Sequence, residues 1–310
     1  MSVISRVVAQ RQRSEPPRGG ETAGPGPQWV RWEWLLWPPL AISFLLFALP
    51  QIFFVWMSFY KNLGFGRIAP VFNFANYLRV FTDPLYLSSL GLTLYLSLAV
   101  TLIDVVLGFP TAYILARARA RWASFLISVL LISSFITVVI KVLGLIVILS
   151  QNGLVNRLLL TLGLVETPLL MLSNNVGVLV GLIHYTLPLL IMLLFSMIQT
   201  IPPSLEEAAE IHGASRLAVF RRVLLPLSLP GLIAGSLMAF NMAMGAFTSA
   251  VLLGGGRVLT LPVLIQRKII FDVDYPFGSA LATVLLLVVF LLNVASTSLL
   301  VQMTRRRKMA

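Results

Sequence analysis

Six long apolar stretches, separated by polar segments, dominate the chain. A helix rises about 1.5 Å per residue, so each stretch is long enough to cross the roughly 30 Å hydrocarbon layer of a membrane. The pattern predicts an all-α polytopic membrane protein with six transmembrane helices. The predicted spans lie near residues 35–58, 89–115, 123–149, 176–198, 229–253 and 277–302.

The composition supports this class and excludes several others. Of the 310 residues, 58% are hydrophobic and only 11% are charged, which is typical of a protein embedded in a bilayer. The chain contains no cysteine, so neither disulfides nor thiolate metal sites are available. The two histidines, His184 and His212, are far apart in sequence and match no zinc pattern. We therefore expect no metal site in this chain.

The two ends of the chain differ from the apolar region between them. Residues 1–31 are rich in Pro, Gly and Arg, which predicts a disordered cytoplasmic tail. This segment has no apolar region followed by a small-residue cleavage site, so it is not predicted to be a signal peptide. Residues 32–303 form the predicted transmembrane domain, and residues 304–310 form a basic cytoplasmic tail.

The Lys and Arg residues are distributed unevenly across the predicted topology. Positive residues are enriched in the cytoplasmic flanks of membrane spans. With both termini inside, the cytoplasmic segments hold fifteen of the 23 Lys and Arg residues, the outer segments hold seven, and Lys141 lies in a span. We therefore predict that both termini face the cytoplasm. The net charge of +12 is better explained by this topology than by nucleic-acid binding.

A polar segment from Ser204 to Pro226 stands between two apolar stretches. Ser204 and Glu207 have the spacing of a capping box, which starts a helix. Gly213 is placed where a helix can end in a left-handed turn, and Ser215 can cap a second helix. Pro226 would end that second helix. The pattern predicts two short helices joined by a sharp turn on the cytoplasmic surface.

This segment resembles the EAA signature of the inner-membrane permease subunits of binding-protein-dependent ABC importers. The triplet EAA at 207–209, a glycine at 213 and Leu-Pro at 225–226 lie at the spacing of the signature. In such permeases the segment forms a coupling helix that sits in a cleft of the ATPase subunit. An ordinary amphipathic loop is the alternative. The resemblance implies an ATPase-coupling role for Glu206, Glu207, Ala208, Ala209, Gly213, Leu225 and Pro226.

Further stretches resemble the spermidine/putrescine-type branch of these permeases. They read NYLRVFTDPLYL, GFPTAYILAR, SQNGLVNRLL, LPLSLPGLIAGSL, LLGGGR and DYPFGSALA. The segment SSFITVVIKVLGL lacks aromatics expected for the branch, and Ala250 stands where a proline is usual. The resemblance implies a permease that moves a polyamine, such as spermidine or putrescine, across the bacterial inner membrane by alternating access. An organic anion, an opine or a sugar derivative is the alternative cargo.

The chain contains no GxxxxGK[ST] phosphate-binding loop, so any ATP hydrolysis requires another polypeptide. The resemblance implies a second homologous permease subunit, two ATPase subunits and a periplasmic substrate-binding protein as partners. ATP and magnesium would bind to the ATPase subunits, and this chain would carry no cofactor. We expect a transport subunit and not an enzyme, because the sequence has no HExxH, nucleophile elbow or intramembrane acid pair. A passive channel is a further alternative, but it would need no segment that docks an ATPase.

Polar residues within the second predicted span form one helix face. Thr93, Ser97, Thr101 and Asp104 follow one another at spacings of four, four and three residues. An ionisable residue inside a membrane is costly and tends to face a cavity or a partner. Asp104 and Thr101 are therefore candidates for the substrate path. The alternative for Asp104 is a hydrogen bond to a neighbouring helix or a cation of the partner subunit.

Two other predicted spans, the third and the fifth, each carry a stripe of small or polar residues that are candidates for the substrate path. For the stripe in the fifth span, tight helix packing is an equally good explanation. The glycine pairs Gly177 with Gly181 and Gly231 with Gly235 have the GxxxG spacing, which indicates helix packing rather than transport. The stripes are Ser134, Thr137 and Lys141 in the third span, and Asn241, Gly245 and Thr248 in the fifth.

Lys141 and Asp104 are not expected to pair. Counted from the arginine-rich loop at 117–121, Asp104 lies about 20 Å and Lys141 about 30 Å along the helices. The two side chains would therefore sit at different depths in the membrane. We expect Lys141 to extend towards the outer interface instead.

Overall fold

The computed structural model describes residues 32–309, with side chains from 36 to 298. Helices make up most of this region, and short π-helical turns span Phe220–Leu224 and Arg267–Phe271. In chain order the elements are α1 (Trp32–Met57), β1 (Lys61–Gly64), β2 (Arg67–Ala69), α2 (Ala75–Thr82), α3 (Pro84–Arg117), α4 (Ala120–Phe135), α5 (Val138–Leu149), α6 (Leu154–Thr161), α7 (Asn175–Gln199), α8 (Ser204–Ile211), α9 (Arg216–Val219), α10 (Leu225–Gly245), α11 (Thr248–Gly254), α12 (Leu261–Gln266) and α13 (Tyr275–Met309).

Two compact units divide the chain between Ile52 and Phe53. The described part of the first unit is the apolar N-terminal portion of α1, which contains Pro38, Pro39 and Pro50. The second unit contains all the later elements. The predicted disordered tail, residues 1–31, lies outside the described residues.

Helices α3, α7 and α10 form the centre of the second unit, where each packs against the other two. One apolar cluster at their contacts includes Val100, Leu182 and Ala243. Another includes Phe109 and Leu194. These side chains lie on the helix faces that turn towards neighbouring helices, so close packing holds the unit together.

Two of the long helices begin directly after a capping residue. The side chain of Asp83 accepts a hydrogen bond from the backbone nitrogen of Leu85 at 2.9 Å, and Pro84 occupies the first position of α3, which favours a helix start. The side chain of Asn174 accepts a hydrogen bond from the backbone nitrogen of Gly177 at 3.0 Å and caps α7 in the same way.

The predicted role of the glycine pairs in helix packing is confirmed. A Cβ atom on Gly235 would lie 2.7 Å from Cδ1 of Leu190 in α7. A Cβ atom on Gly231 would overlap with Met197 in the same helix. The α10 backbone therefore approaches α7 as closely as glycine allows.

Six candidate membrane spans occur among residues 36–298, which confirms the predicted number. The last helix, α13, continues beyond the last candidate span to Met309, so the helix does not end at the predicted boundary between residues 303 and 304. The candidate spans are Leu36–Met57, Pro84–Arg117, Val138–Thr161, Asn175–Gln199, Arg216–Gly245 and Tyr275–Ser298.

The third predicted span, residues 123–149, is wrong as a single helix. Helix α4 ends at Phe135, and Ile136 and Thr137 adopt ψ angles of 131° and 145°, outside the helical range. The run from Ile136 to Ile140 consists entirely of β-branched residues, which lose side-chain freedom in a helix and so favour a break. Helix α5 begins after the break, at Val138.

The fifth predicted span, residues 229–253, is also placed wrongly. Helical structure begins at Arg216, passes through the π-helical turn and continues to Gly245. Pro226 does not end this helix, contrary to the prediction, because it lies in the first turn of α10 directly after the wider π-helical turn. Ala246 adopts an extended conformation and ends the helix instead.

A β-hairpin, which the hydrophobic pattern did not predict, joins α1 to α2. Strands β1 and β2 pair antiparallel. The turn between them uses left-handed backbone conformations at Gly64, Phe65 and Gly66, with φ of 89°, 49° and 74°. Glycine is favoured in this region because it has no Cβ atom, which explains the two glycines of the turn.

Candidate functional site

The polar segment that begins at Ser204 folds, as predicted, into a short helix, a sharp turn and the start of a second helix, which continues into α10. Helix α8 is followed by Gly213 with a φ of 82°. The backbone nitrogen of Gly213 donates to the carbonyl of Glu210 at 2.9 Å, which closes the turn. The side chain of Ser215 accepts a hydrogen bond from the backbone nitrogen of Ala218 at 3.3 Å. The predicted cap of the second helix is therefore confirmed.

The predicted capping box at the start of α8 is wrong. The residue before the helix is Pro203, and Ser204 is already the first helical residue and makes no capping hydrogen bond. Pro203 has helical backbone angles, φ −56° and ψ −29°, because its ring fixes φ near the helical value. The backbone nitrogens of Glu206 and Glu207 donate to the carbonyl of Pro203 instead, at 2.9 and 3.1 Å.

Glu206 points inwards and fastens α8 to the end of α3. The Tyr113 hydroxyl donates to Oε2 of Glu206 at 2.8 Å. Nε and Nη2 of Arg117 donate to Oε1 at 2.9 and 2.5 Å. Both charged side chains are mostly shielded from solvent, with 20% of Arg117 and 12% of Glu206 exposed. Sequence reasoning missed Tyr113 and Arg117, because a pair separated by about ninety positions leaves no periodic pattern.

The remaining surface of α8 is open. Glu207, Ala208 and Glu210 are exposed, and Ile211 has 83% of its surface exposed. Leu217 in α9 adds a second apolar side chain, 65% exposed. Acidic groups beside exposed apolar groups form a surface suited to binding another protein.

The other residues that the signature assigned to coupling differ in exposure. Gly213 is exposed at the turn, whereas Ala209 is half-buried. Leu225 and Pro226 are half-buried at the start of α10. The signature therefore combines residues of the open surface with residues that shape the helix behind it.

Asp104 lies in the contact between α3 and α7. It is fully buried, and the Thr186 hydroxyl donates to its Oδ2 at 2.5 Å. Within residues 36–298 the ion pairs are Arg117–Glu206 and Lys268–Asp272, so Asp104 and Lys141 are not paired there. The hydrogen bond to a neighbouring helix, the alternative considered for Asp104, is thus present in the structure.

The polar stripe of α3 divides between two surroundings. Thr93 and Ser97 are buried like Asp104, and the Thr93 hydroxyl accepts a hydrogen bond from the backbone nitrogen of Leu261 at 2.8 Å. Thr101 instead lines a groove of about 440 Å³ between α3, α10 and α13. Ser236 and Ser296 are the other hydroxyl side chains of this mostly apolar groove.

The two remaining stripes do not each share a helix face. Ser134 belongs to α4, Lys141 to α5, and exposed Thr137 lies at the break between them. Thr248 begins α11, after the helix that carries Asn241 and Gly245 has ended. Both predictions of a common face are wrong, because apolar composition does not report a break in the backbone.

Asn241 is tied to α13 rather than free to face a path. Its amide nitrogen donates to Oδ1 of Asn293 at 3.0 Å, and the amide nitrogen of Asn293 donates back at 2.9 Å. This reciprocal pair joins α10 and α13 inside the membrane region, where hydrogen bonds between helices favour association. No cluster of three His, Asp or Glu side chains suited to a metal occurs in the described part of the chain.

Six apolar spans define a multi-pass membrane protein, and the polar helix–turn–helix of α8 and α9 follows the fourth span. The family model described as "Binding-protein-dependent transport system inner membrane component" matches residues 104–309, and the chain belongs to this family. It is therefore a permease subunit of an ABC importer in the inner membrane.

Three curated relatives illustrate the similarity. The chain is 34% identical over 248 residues to the spermidine/putrescine permease PotB of Escherichia coli K12, covering 80% of this chain and 90% of the relative. It is 31% identical over 245 residues to PotB of Haemophilus influenzae, covering 78% and 85%. It is 26% identical to the sulfate permease CysT of Salmonella typhimurium, covering 76% and 83%. The chain is thus homologous to PotB.

Solved structures share the fold. A chain of a bacterial ABC transporter that imports the acidic polysaccharide alginate matches with a TM-score of 0.67 and 22% identity, covering 86% of this chain and 96% of that one. A chain of the MetNI methionine transporter matches with a TM-score of 0.55 and 19% identity, covering 70% and 97%. At these identities the matches show a common fold.

Proposed function

We propose that this chain is the membrane-spanning subunit of an ATP-driven importer whose cargo is a polyamine such as spermidine or putrescine. The observation that carries the proposal is the 34% and 31% identity to two spermidine/putrescine permeases over most of both chains. Identity to the sulfate permease is lower, at 26%. This difference favours a polyamine over an inorganic anion.

In this proposal α8 is the coupling helix. Its exposed Glu207, Ala208 and Ile211 offer an acidic and apolar surface to a cleft of an ATPase subunit. The absence of a phosphate-binding loop from the sequence supports a separate ATPase. ATP and magnesium bind to that subunit, and its closure pushes on α8. The push switches the permease between outward-open and inward-open states.

The complete importer contains four kinds of component. They are this permease, a second homologous permease subunit, two ATPase subunits and a periplasmic binding protein that delivers the cargo. Both chain termini and α8 face the cytoplasm, where ATP is available. The excess of Lys and Arg in the segments assigned to that side supports this orientation.

A cargo other than a polyamine is the second candidate, and one observation favours it. Across the six candidate spans within residues 36–298, Asp104 is the sole acidic residue, and it is bonded to Thr186. A cationic cargo needs carboxylates or other acceptors along its path. In a polyamine importer those carboxylates would come from the second permease subunit, whereas an organic anion, opine or sugar derivative would not need them.

Uptake in cells tests the cargo. A bacterial strain without polyamine importers of its own would express this chain with its partner subunits, and labelled spermidine and putrescine would be supplied. We expect accumulation that unlabelled polyamine, and not sulfate, competes away. Accumulation of an anion, an opine or a sugar derivative instead would replace the proposed cargo. Polyamine uptake that continues after ATP depletion would indicate a passive channel.

A further inference from the structure

One carboxylate joins α8 to the C-terminal end of α3. Glu206 accepts hydrogen bonds from the Tyr113 hydroxyl and from two nitrogens of the Arg117 guanidinium. Hydrogen bonds that involve ionised groups are about twice as strong as neutral ones. Because both partners are mostly shielded from water, the attraction is screened less than at an open surface.

Apolar packing contributes little to the position of α8. The structure describes every residue of α8, and none of its side chains is buried. Its main contacts are with α9 and the π-helical turn that follow it in the chain. A helix of eight residues is not stable by itself in water. The bonds to Glu206 therefore provide the specific link between α8 and the membrane helices.

The same arginine also fixes the connection that leads into α8. Nη2 of Arg117 donates to the backbone carbonyl of Ile201 at 3.0 Å, and Ile201 is buried. A planar guanidinium presents its N–H donors in a rigid fork that reaches both acceptors at once, whereas the donors of lysine all lie on one flexible ammonium nitrogen. Arg117 therefore holds α8 and the turn before it in one arrangement.

We propose that Tyr113 and Arg117 are positioning residues that hold α8 through Glu206, so that α8 and α3 move as one body. The inference rests on the proposed function, because α8 transmits force only if an ATPase docks there. Helix α3 packs against α7 and α10 at the centre of the unit, so it passes a displacement of α8 into the bundle. Glu206 is occupied by this anchor, which leaves the exposed Glu207 for the ATPase.

The anchor is tested on the full chain without partners. The chain has no cysteine, so Ile211→Cys, at an exposed position of α8, accepts a single spin label. In lipid nanodiscs, Arg117→Gln should increase the rotational mobility of the label. The matched control, Arg119→Gln, removes the same charge from an exposed side chain and should leave the spectrum unchanged. Unchanged mobility in Arg117→Gln would overturn the anchor.

Coupling is measured in the complex reconstituted with its ATPase and binding protein. Arg117→Gln should lower the spermidine imported per ATP hydrolysed by at least about tenfold, the factor for losing one hydrogen bond to a charged group, because it removes two such bonds, while the ATPase stays bound. Exchange of the two charges, Arg117→Glu with Glu206→Arg, should recover part of the ratio. A folding defect would lower the yield of the complex and would not respond to the exchange.

Two results contradict the coupling role. One is a wild-type import ratio in Arg117→Gln, and the other is an equal loss in Arg119→Gln. Failure of the proposed function gives a different result, because the wild-type complex itself would then retain no ATPase or show no ATP-dependent import. In that case the nanodisc spectra still decide whether Arg117 anchors α8.

Discussion

Gly213 is the residue at which the backbone constrains the docking surface most directly. Its φ of 82° lies in the left-handed region, which costs most other residues about 1–2 kcal/mol. Among the described residues, no atom lies within 4 Å of the position that a Cβ would take. A substitution there would therefore strain the backbone without creating a clash.

Because backbone strain and not a side-chain clash limits what can replace Gly213, two substitutions there should have different effects. Gly213→Val should weaken ATPase docking and uptake, because a β-branched residue is strongly disfavoured at positive φ. Gly213→Asn should keep both near the wild-type level, because asparagine tolerates the left-handed region. Co-purification of the ATPase and uptake in vesicles measure the two effects. Equal behaviour of the two variants would show that the turn conformation is unimportant.

Asp104 permits a second prediction at the residue scale. In Asp104→Asn the amide oxygen can still accept the hydrogen bond from Thr186, so uptake should stay near the wild-type rate. Stability should fall by less than about 1 kcal/mol, the net contribution of an ordinary hydrogen bond. Uptake assays and thermal unfolding check both values. Loss of uptake in a stable Asp104→Asn protein would instead assign the carboxylate to the cargo path.

At the scale of elements, the hydrophobic pattern predicted how many helices cross the membrane but not where the backbone breaks. Apolar residues stand on both sides of the break at Ile136 and Thr137 and continue through the break at Ala246 and Phe247, so hydropathy alone does not reveal either break. The run of β-branched residues after Phe135 was the available signal for the first break. The bond from Arg117 to Glu206 left no signal, because it depends on how distant helices pack.

The contact between α7 and α10 gives a prediction at this scale. Gly235→Val should destabilise the protein by about 1–3 kcal/mol, as expected for overpacking, because its side chain would meet Leu190 and Leu193. The control Gly91→Val places the same side chain in α3, where no described atom lies within 4 Å of the added Cβ. Thermal unfolding of the purified chain in detergent compares them. Equal unfolding temperatures would contradict the close contact.

At the scale of the whole molecule, orientation follows from the distribution of positive charge. Two single-cysteine variants test this orientation, Leu63→Cys in β1 and His212→Cys after α8. Both positions are exposed, and the chain contains no other cysteine. A membrane-impermeant maleimide added to intact spheroplasts should label position 63 and leave position 212 unlabelled until the membrane is opened. The reverse pattern would invert the proposed topology.

The sequence therefore predicted the class of protein, the number of spans and the sharp turn at Gly213, since each depends on local composition or spacing. The residues of the cargo path were harder to predict from the sequence, because the path depends on helix breaks and on a second subunit. The reciprocal bonds of Asn241 with Asn293 illustrate this limit, since a residue that sequence reasoning assigned to the path is used to hold two helices together.

ATP-dependent import by the reconstituted complex tests the central claim most directly. Proteoliposomes would contain this chain, the second permease subunit and the ATPase, with ATP enclosed and the binding protein and labelled spermidine outside. We predict spermidine accumulation that requires enclosed ATP and is lost in Gly213→Val. Accumulation without ATP, or ATP hydrolysis that moves no spermidine, would contradict the account.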